Sequence, residues 1–230
     1  MTLEVHVATV IAVRGNAEER IDPELGVVSL SVGVSEPERD LAVTRTTQAH
    51  EQLIAAVREL EASGALDSWS AGQLRVWSHR PWNAEGKQLP MVHQTSAEIE
   101  VIFTDLAKLG EWVSRVSIGS SVALGGIDWR LTDATRKRTE ETAQRGAVAD
   151  TVAKAEIYAS ALGLGAPSPV ELADTGLLTA QPVPQGGGER MFAMRAVADM
   201  GGGGGGGAEF TPAKLVIAAS VDARFSAEPA

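Results

Sequence analysis

The sequence contains no cysteine, few aromatic residues and no long apolar run. Without cysteine, the chain has neither disulfides nor thiolate metal ligands nor a cysteine nucleophile. No stretch approaches the ~20 apolar residues of a membrane-spanning helix. The segment Met1–His6 lacks the basic and apolar regions of a secretory signal peptide. These absences predict a soluble, cytoplasmic protein without a membrane span.

Basic residues are in the minority. The 230 residues include 20 Lys and Arg against 30 Asp and Glu, which gives a formal net charge of −10. Such a charge repels phosphate backbones and anionic membrane surfaces, so nucleic acid is not expected as a partner. The length suits one large or two small domains and is sufficient to bury a core.

Apolar periodicities predict an α+β order of elements. Alternation predicts two strands lying side by side, Val5–Val13 and Gly26–Val34, with turns at 14–16 and 22–24. Helical spacing and capping residues predict helices over 38–62, over 106–117 with Asp105 as cap, and from a cap at 132 or 133 to 162. Further strands are predicted at 125–131, 170–173 and 214–225. The inner face predicted for the last helix consists of Val148, Val152, Ala155, Ala159 and Leu162.

A long β-hairpin is predicted between the first two helices. One strand holds Leu74 and Val76, the other Ile99 to Phe103, and residues 83–87 form the loop. Three apolar residues, Trp77, Trp82 and Met91, lie on its outer part. Because tryptophan and methionine are enriched in interface cores, these residues are candidates for a subunit or ligand contact; packing in the core of the same strands is the alternative.

The segment 176–208 has a low-complexity composition and ends in the polyglycine run 201–207. Glycine loses more backbone entropy on ordering than any other residue, so the segment is predicted to be a flexible loop. It contains further apolar candidates for the same contact, Met191, Phe192 and Met194.

Motifs for catalysis or cofactor binding are missing from the sequence. The glycine runs are not followed by the Gly-Lys-Ser/Thr of a phosphate-binding loop, and no Gly-x-Ser-x-Gly elbow occurs. His79 and His93 are equidistant from Gly86 and would face each other across a hairpin centred there, but no third metal ligand is evident. No catalytic residue, cofactor or metal is therefore predicted.

Three segments resemble the SIMPL domain family, a family of unknown function. Val10–Ala17 with Val27–Val34 is similar to the family's opening "V-x-G-x-G … A-x-(I/L)-x-(V/L)-G-V". Ala147–Leu164 resembles its "A-V-x-D-A-x-x-K-A-x-x-x-A-x-x-x-G" helix, and Ile127–Asp133 resembles its "I-x-F-x-(L/I)-x-(D/N)" segment. The resemblance covers nearly the whole chain.

The resemblance implies a single domain over residues 1–230, made of two interleaved sheet-and-helix lobes with two long helices and a projecting β-hairpin. It also implies ring-like or channel-like homo-oligomers and an association with stress tolerance, and it supplies no catalytic residue. Most bacterial relatives carry a signal peptide, which this sequence does not show. The leading hypothesis is a non-enzymatic, self-assembling scaffold or binding module. The alternative is a protein that binds a peptide or small apolar ligand in a pocket near the hairpin and the segment 191–200.

Overall fold

The computed structural model describes residues 8–84, 86–178 and 211–230 and confirms the α+β class. These residues form three helices and nine strands. The strands are β1 (Thr9–Ile21), β2 (Leu25–Val32), β3 (Ser35–Glu36), β4 (Leu66–Ala71), β5 (Arg75–His79), β6 (Val92–Phe103), β7 (Val122–Arg130), β8 (Ser168–Asp174) and β9 (Leu215–Ala227). The helices are α1 (Arg39–Ala62), α2 (Leu106–Val116) and α3 (Asp133–Ala161). Over the described residues, no helix combines the length and apolar character needed to cross a membrane.

The chain divides into two compact units. Unit 1 contains β1, α3, β8 and β9 and consists of the described parts of residues 1–22, 133–198 and 214–230. Unit 2 contains the other elements and consists of the described parts of 23–132 and 199–213. Segments that flank unit 2 in the sequence therefore come together to form unit 1, which is an interleaved arrangement.

β1 differs from the sequence prediction in length and in partner. The predicted turn at 14–16 is wrong, because Gly15 lies inside a strand that continues to Ile21. The predicted pairing of the first two strands is also wrong, since β1 pairs with β9 in a three-stranded sheet of order β1-β9-β8. A Cβ at position 15 would overlap the carbonyl oxygen of Ala147 in α3. Glycine is needed here because a helix approaches the strand closely.

α3 packs on β1 and β9 through a stripe of small residues. The buried residues recur at every fourth position and are Thr135, Thr139, Ala143, Ala147, Thr151, Ala155 and Ala159. The predicted inner face is therefore wrong in part: Ala155 and Ala159 are buried, whereas Val152 and Leu162 are exposed. At ~1.5 Å per helical residue and ~3.3 Å per strand residue, α3 and β1 are both about 43 Å long, so helix and strand match in length.

Side chains of α3 also hydrogen-bond to the backbone of β1 on both sides of Gly15. Asp150 Oδ2 accepts a hydrogen bond from the Asn16 amide at 2.8 Å, and Lys154 Nζ donates to the Arg14 carbonyl at 2.8 Å. Lys154 Nζ and Asp150 Oδ2 also form an ion pair with each other, at 2.7 Å. Because β1 is an edge strand of its sheet, these contacts occupy backbone groups that would otherwise be open to another strand.

Asp222 links β9 to β1 and to the turn after β8. It accepts hydrogen bonds from Arg14 Nε at 2.6 Å, Arg14 Nη2 at 3.1 Å and the Gly176 amide at 2.9 Å. The hydrogen bond from Arg14, then that from Gly176, lowers the pKa of Asp222 below its ordinary value. Bonds of Asp150 to Lys154 and Asn16 lower the pKa of that carboxyl in the same way.

We expect Asp222→Asn to destabilise the protein at neutral pH but not in acid. A carboxyl whose pKa is lowered by folding contributes stability above its unfolded-state pKa of 3.8, and this contribution is lost as the pH falls through the folded-state pKa. In thermal melts at pH 7, the unfolding midpoint of Asp222→Asn should be lower than that of wild type. The two midpoints should coincide at a pH below the folded-state pKa. Asp67→Asn is the control, because Asp67 is exposed and hydrogen-bonds only to neighbouring Ser68 among the described residues. A difference for Asp222→Asn that persists in acid would contradict the assignment.

Six strands form the sheet of unit 2, with β6 as the central strand. β2 and β3 pair with one side of β6, β4 and β5 pair with the other, and β7 pairs with the outer edge of β2. The predicted hairpin is present, but its first strand is interrupted between Ala71 and Arg75. In that gap the Gly72 amide donates to the Glu98 carbonyl at 2.7 Å, which keeps the two halves in line.

α1 and α2 pack on this sheet and enclose the larger core, as the sequence predicts. The core consists of Val28, Leu30, Val32, Leu53, Val57, Ile99, Val101, Phe103, Leu109, Trp112 and Val113. The predicted cap of α2 is confirmed, because the Asp105 side chain accepts a hydrogen bond from the Lys108 amide at 3.1 Å. The rings of Phe103 and Trp112 lie 5.4 Å apart and are tilted by 47°. The opposite face of the sheet carries the candidate site.

Candidate functional site

The hairpin residues chosen from the sequence are all solvent-exposed. Trp77 lies in β5 and is 46% exposed, and Trp82 lies in the connection to β6 and is 86% exposed. Met91 directly precedes β6 and is 45% exposed. Core packing therefore does not account for these side chains. The other three predicted residues, Met191, Phe192 and Met194, and the polyglycine run 201–207 lie outside the described residues.

The connection that carries Trp82 is held together near its base. Arg80 Nη1 donates to the Leu89 carbonyl at 3.2 Å, and the Gly86 amide donates to the Asn83 carbonyl at 3.2 Å. Gly86 has a φ of 71°, a conformation that glycine adopts without steric cost. The exposed indole of Trp82 thus lies on a segment with its own hydrogen bonds.

The two hairpin histidines do not face each other. The register places Ser78 opposite His93 and His79 opposite Val92, so the expected facing arrangement is wrong by one position. Successive side chains of a strand point to opposite faces, so this shift separates the two rings. Ser78 Oγ lies 2.7 Å from His93 Nδ1 instead. Within the described ranges, three or more potential metal-ligating side chains do not come together.

A polar groove lies on the open face of the unit 2 sheet. The strand register places Trp77, Gln94 and Ser35 in one row across β5, β6 and β3. The groove has a volume of about 360 Å³. Its other polar lining residues are Ser31, Thr95, Ser96, Ser120 and Ser121. The hairpin therefore borders a groove in which hydroxyl and amide side chains lie beside the apolar surface of Trp77, Val122 and Ala123.

The wall of this groove is fixed by hydrogen bonds. Thr95 Oγ1 lies 2.5 Å from Thr46 Oγ1 of α1 and also donates to the Val34 carbonyl at 3.2 Å. The Gly33 amide donates to the Ser121 carbonyl at 2.9 Å. A Cβ at Gly33 would overlap the Thr95 carbonyl oxygen, so the chain is closely packed at this point. The segments 33–35 and 120–121 are thereby held side by side.

A second groove lies beside α1, on the other side of the segments 33–35 and 120–121. Its volume is about 590 Å³, and both grooves are lined by Gly33, Val34, Ser35, Ser120 and Ser121. Gln48 and Gln52 of α1 add amides, and the Arg45 guanidinium forms an ion pair with Glu36. The two grooves thus share a wall, but only the first lies on the open face of the sheet. We call this first groove the Trp77 groove.

Unit 1 carries a second set of exposed apolar residues, which the sequence analysis missed. They are Ile157 and Tyr158 on α3, Leu162 directly after it, and Val170 and Leu172 on β8. β8 is the edge strand of its sheet opposite to β1. The missed signal was the four-residue repeat of Ala and Thr, which leaves the larger apolar residues of α3 outside the buried stripe.

Comparison with known proteins supports the resemblance found in the sequence. The model of a family described as SIMPL, "Protein of unknown function (DUF541)", matches residues 11–225. This match extends from β1 to β9 and includes elements of both units. No curated protein matches the chain.

Proposed function

The chain belongs to the SIMPL family, and on that premise we propose that it is a non-enzymatic scaffold or binding module that assembles with copies of itself. The observation that carries the proposal is the exposure of Trp82, at 86%, together with Met91 on the same connection. Large exposed apolar side chains that lie close together mark interaction sites on soluble proteins. Aromatic residues and methionine are also enriched in interface cores.

The exposed residues of unit 1 support self-assembly independently. Leu162 is 64% exposed and Leu172 is 57% exposed, and the second of these lies on an edge strand. β1, at the other edge, has backbone groups occupied by Asp150 and Lys154, whereas β8 has the exposed side chains of Val170 and Leu172. Edge strands without protection readily take a further strand or a partner surface.

Two different apolar surfaces on one chain favour a head-to-tail contact. When a surface of one copy binds a different surface of the next, the assembly closes into a ring if the rotation between copies permits it. We therefore expect the hairpin of one copy to contact the exposed α3 and β8 residues of another. Such an assembly would present many copies of the same open sheet face, which suits a scaffold or binding module.

Light scattering coupled to size exclusion tests this function. The intact chain should elute as a discrete multimer of the 24.1 kDa protomer, and the double variant Trp82→Ser, Met91→Ser should elute as a protomer. The contact is apolar, so polar hydroxyls on the same backbone should abolish it. Leu162→Ser with Leu172→Ser tests the second surface in the same way.

Ile118→Ser provides the matched control. Ile118 is 84% exposed, but it lies beyond the end of α2 and belongs to neither apolar set, so its replacement should leave the mass unchanged. A 24.1 kDa mass for the intact chain over roughly 1–100 μM would overturn the scaffold function, since these concentrations span typical affinities of stable homo-oligomers. Hydrolytic activity that is lost on replacing one carboxylate would contradict the non-enzymatic assignment.

A further inference from the structure

We propose that the Trp77 groove binds a neutral oligosaccharide. The site is defined by the indole of Trp77, the amide of Gln94 and the surrounding serine hydroxyls. It depends only on residues of unit 2 and not on the self-assembly proposed above.

The first observation is a set of polar side chains without partners. The side chains of Ser31, Ser35, Gln94, Ser96, Ser120 and Ser121 line one groove and make no hydrogen bond to any other described residue. Hydroxyl and amide groups both donate and accept hydrogen bonds, which matches the alternating donor and acceptor character of sugar hydroxyls. Several such groups around one depression favour a ligand rich in hydroxyls.

The second observation is the position of Trp77. Its indole lines the groove, is nearly half exposed and lies in register with Gln94 and Ser35. An aromatic ring combines a large apolar face with a polar N–H, so it can pack on the C–H face of a sugar ring while neighbouring groups bind the hydroxyls. A pocket with an apolar anchor and a few polar groups is the general form of a small-molecule site.

The charges around the groove favour a neutral ligand. Arg45 is paired with Glu36, and Arg75 lies 3.7 Å from Glu98. The two arginines near the groove are thus each compensated, and the whole chain has a net charge of −10. An anionic ligand would meet this negative net charge, and none of the described residues that line the groove has a cationic side chain to offset it.

The size and rigidity of the groove suit a saccharide. Its volume of about 360 Å³ is within the ~300–1,000 Å³ of small-molecule sites, and the groove is open to solvent, so a chain of sugars can extend past it. The shared wall is held by Thr46, Thr95 and the Gly33–Ser121 hydrogen bond. Because this wall is already ordered in the free protein, less conformational entropy is lost when a ligand binds.

Calorimetric titration of the full chain with four hexasaccharides tests the site. The probes are the neutral cellohexaose, chitohexaose and maltohexaose and the anionic hexagalacturonate. At least one neutral probe should bind, and hexagalacturonate should not. Absence of heat with all three neutral probes up to about 10 mM would overturn the proposal, since affinities weaker than this correspond to less than about 3 kcal/mol. Equal binding of the anionic probe would also overturn it.

Variants on the same hairpin locate the binding. Trp77→Ala should weaken the binding of the neutral probe about 10-fold or more, while Trp77→Tyr, which keeps a ring, should retain most of it. Gln94→Ala should also weaken binding, and it tests the site independently of any effect of Trp77 on folding. Trp82→Ser is the matched control, because this more exposed tryptophan lies outside the groove. Loss of binding in Trp82→Ser but not in Trp77→Ala would contradict the assignment.

The same control separates this site from the self-assembly function. Under both proposals, the Trp82→Ser, Met91→Ser protein is a protomer that still binds the oligosaccharide. A monomeric intact chain that binds would overturn only the scaffold function, and an assembled chain that binds none of the neutral probes would overturn only the saccharide site.

Discussion

Replacing Gly15 by alanine is expected to lower the free energy of unfolding of unit 1 by at least about 3 kcal/mol, the upper range for overpacked sites. The added Cβ would overlap the Ala147 carbonyl oxygen and lie 2.6 Å from Thr151 Cγ2. The obstacle is mainly helix backbone, which cannot move away as the end of a flexible side chain can. α3 would have to lift from β1, and the contacts of Asp150 and Lys154 with that strand would be lost with it.

Hydrogen exchange of α3 and denaturant titration followed by circular dichroism measure this effect. Gly72→Ala is the matched control, since a Cβ there would meet its nearest neighbour at 3.4 Å, an ordinary contact. The control should stay within about 0.5 kcal/mol of wild type, as surface substitutions usually do. Wild-type protection of α3 in Gly15→Ala would show that the close approach of helix and strand is not required.

Phe103→Ala is the second substitution with a large expected effect. Phe103 is fully buried between the sheet and α2, against the ring of Trp112. Its truncation removes apolar contacts and leaves a cavity, which for phenylalanine costs about 3–5 kcal/mol. The five tryptophans, at 69, 77, 82, 112 and 129, all belong to unit 2, so the midpoint of their fluorescence change in denaturant reports on this unit.

Trp82→Ala serves as the control for this measurement. It removes a larger ring, but one that is 86% exposed, so the stability of the protomer should change by no more than about 0.5 kcal/mol. If the two substitutions shifted the midpoint equally, then the core around Phe103 would not be the main source of stability of unit 2.

Unit 2 could be predicted from the sequence because its pattern is carried by large side chains. Leu53 and Val57 on α1, and Leu109, Trp112 and Val113 on α2, recur at helical spacing and are all buried. In β6 opposite them, buried and more exposed residues alternate from Thr95 to Phe103. Burial of such side chains dominates the free energy of folding, so their periodicity reflects the structure directly.

Unit 1 was harder to predict because its contacts depend on small residues. Ala and Thr at every fourth position of α3 give a weak apolar signal, and Val152 and Leu162 suggested the wrong face. Gly15 reads locally as a turn, and only the approach of α3 explains it. β1 and β9 lie near opposite ends of the sequence, and no local sequence pattern predicts that they pair.

Of the two candidate sites, one could be predicted from the sequence and the other could not. The exposed hairpin residues were identified because tryptophan and methionine are conspicuous in any sequence. The Trp77 groove was not identified, because Ser35, Gln94 and Ser120 come from different strands and turns and approach each other only through the sheet register. Serines scattered along a sequence indicate nothing until the topology assembles them.

The pairing of β1 with β9 also limits when unit 1 can be completed during synthesis. Arg14 and Asp222, partners across this pair, are 208 residues apart, whereas the residues that build the sheet of unit 2 are continuous in the chain. β1 precedes this part of unit 2 in the chain and β9 follows it, so we expect unit 2 to be able to fold before β9 is synthesised. In that interval the apolar residues of β1 lack their β9 partner, so we expect the incomplete chain to aggregate more readily than the finished protein.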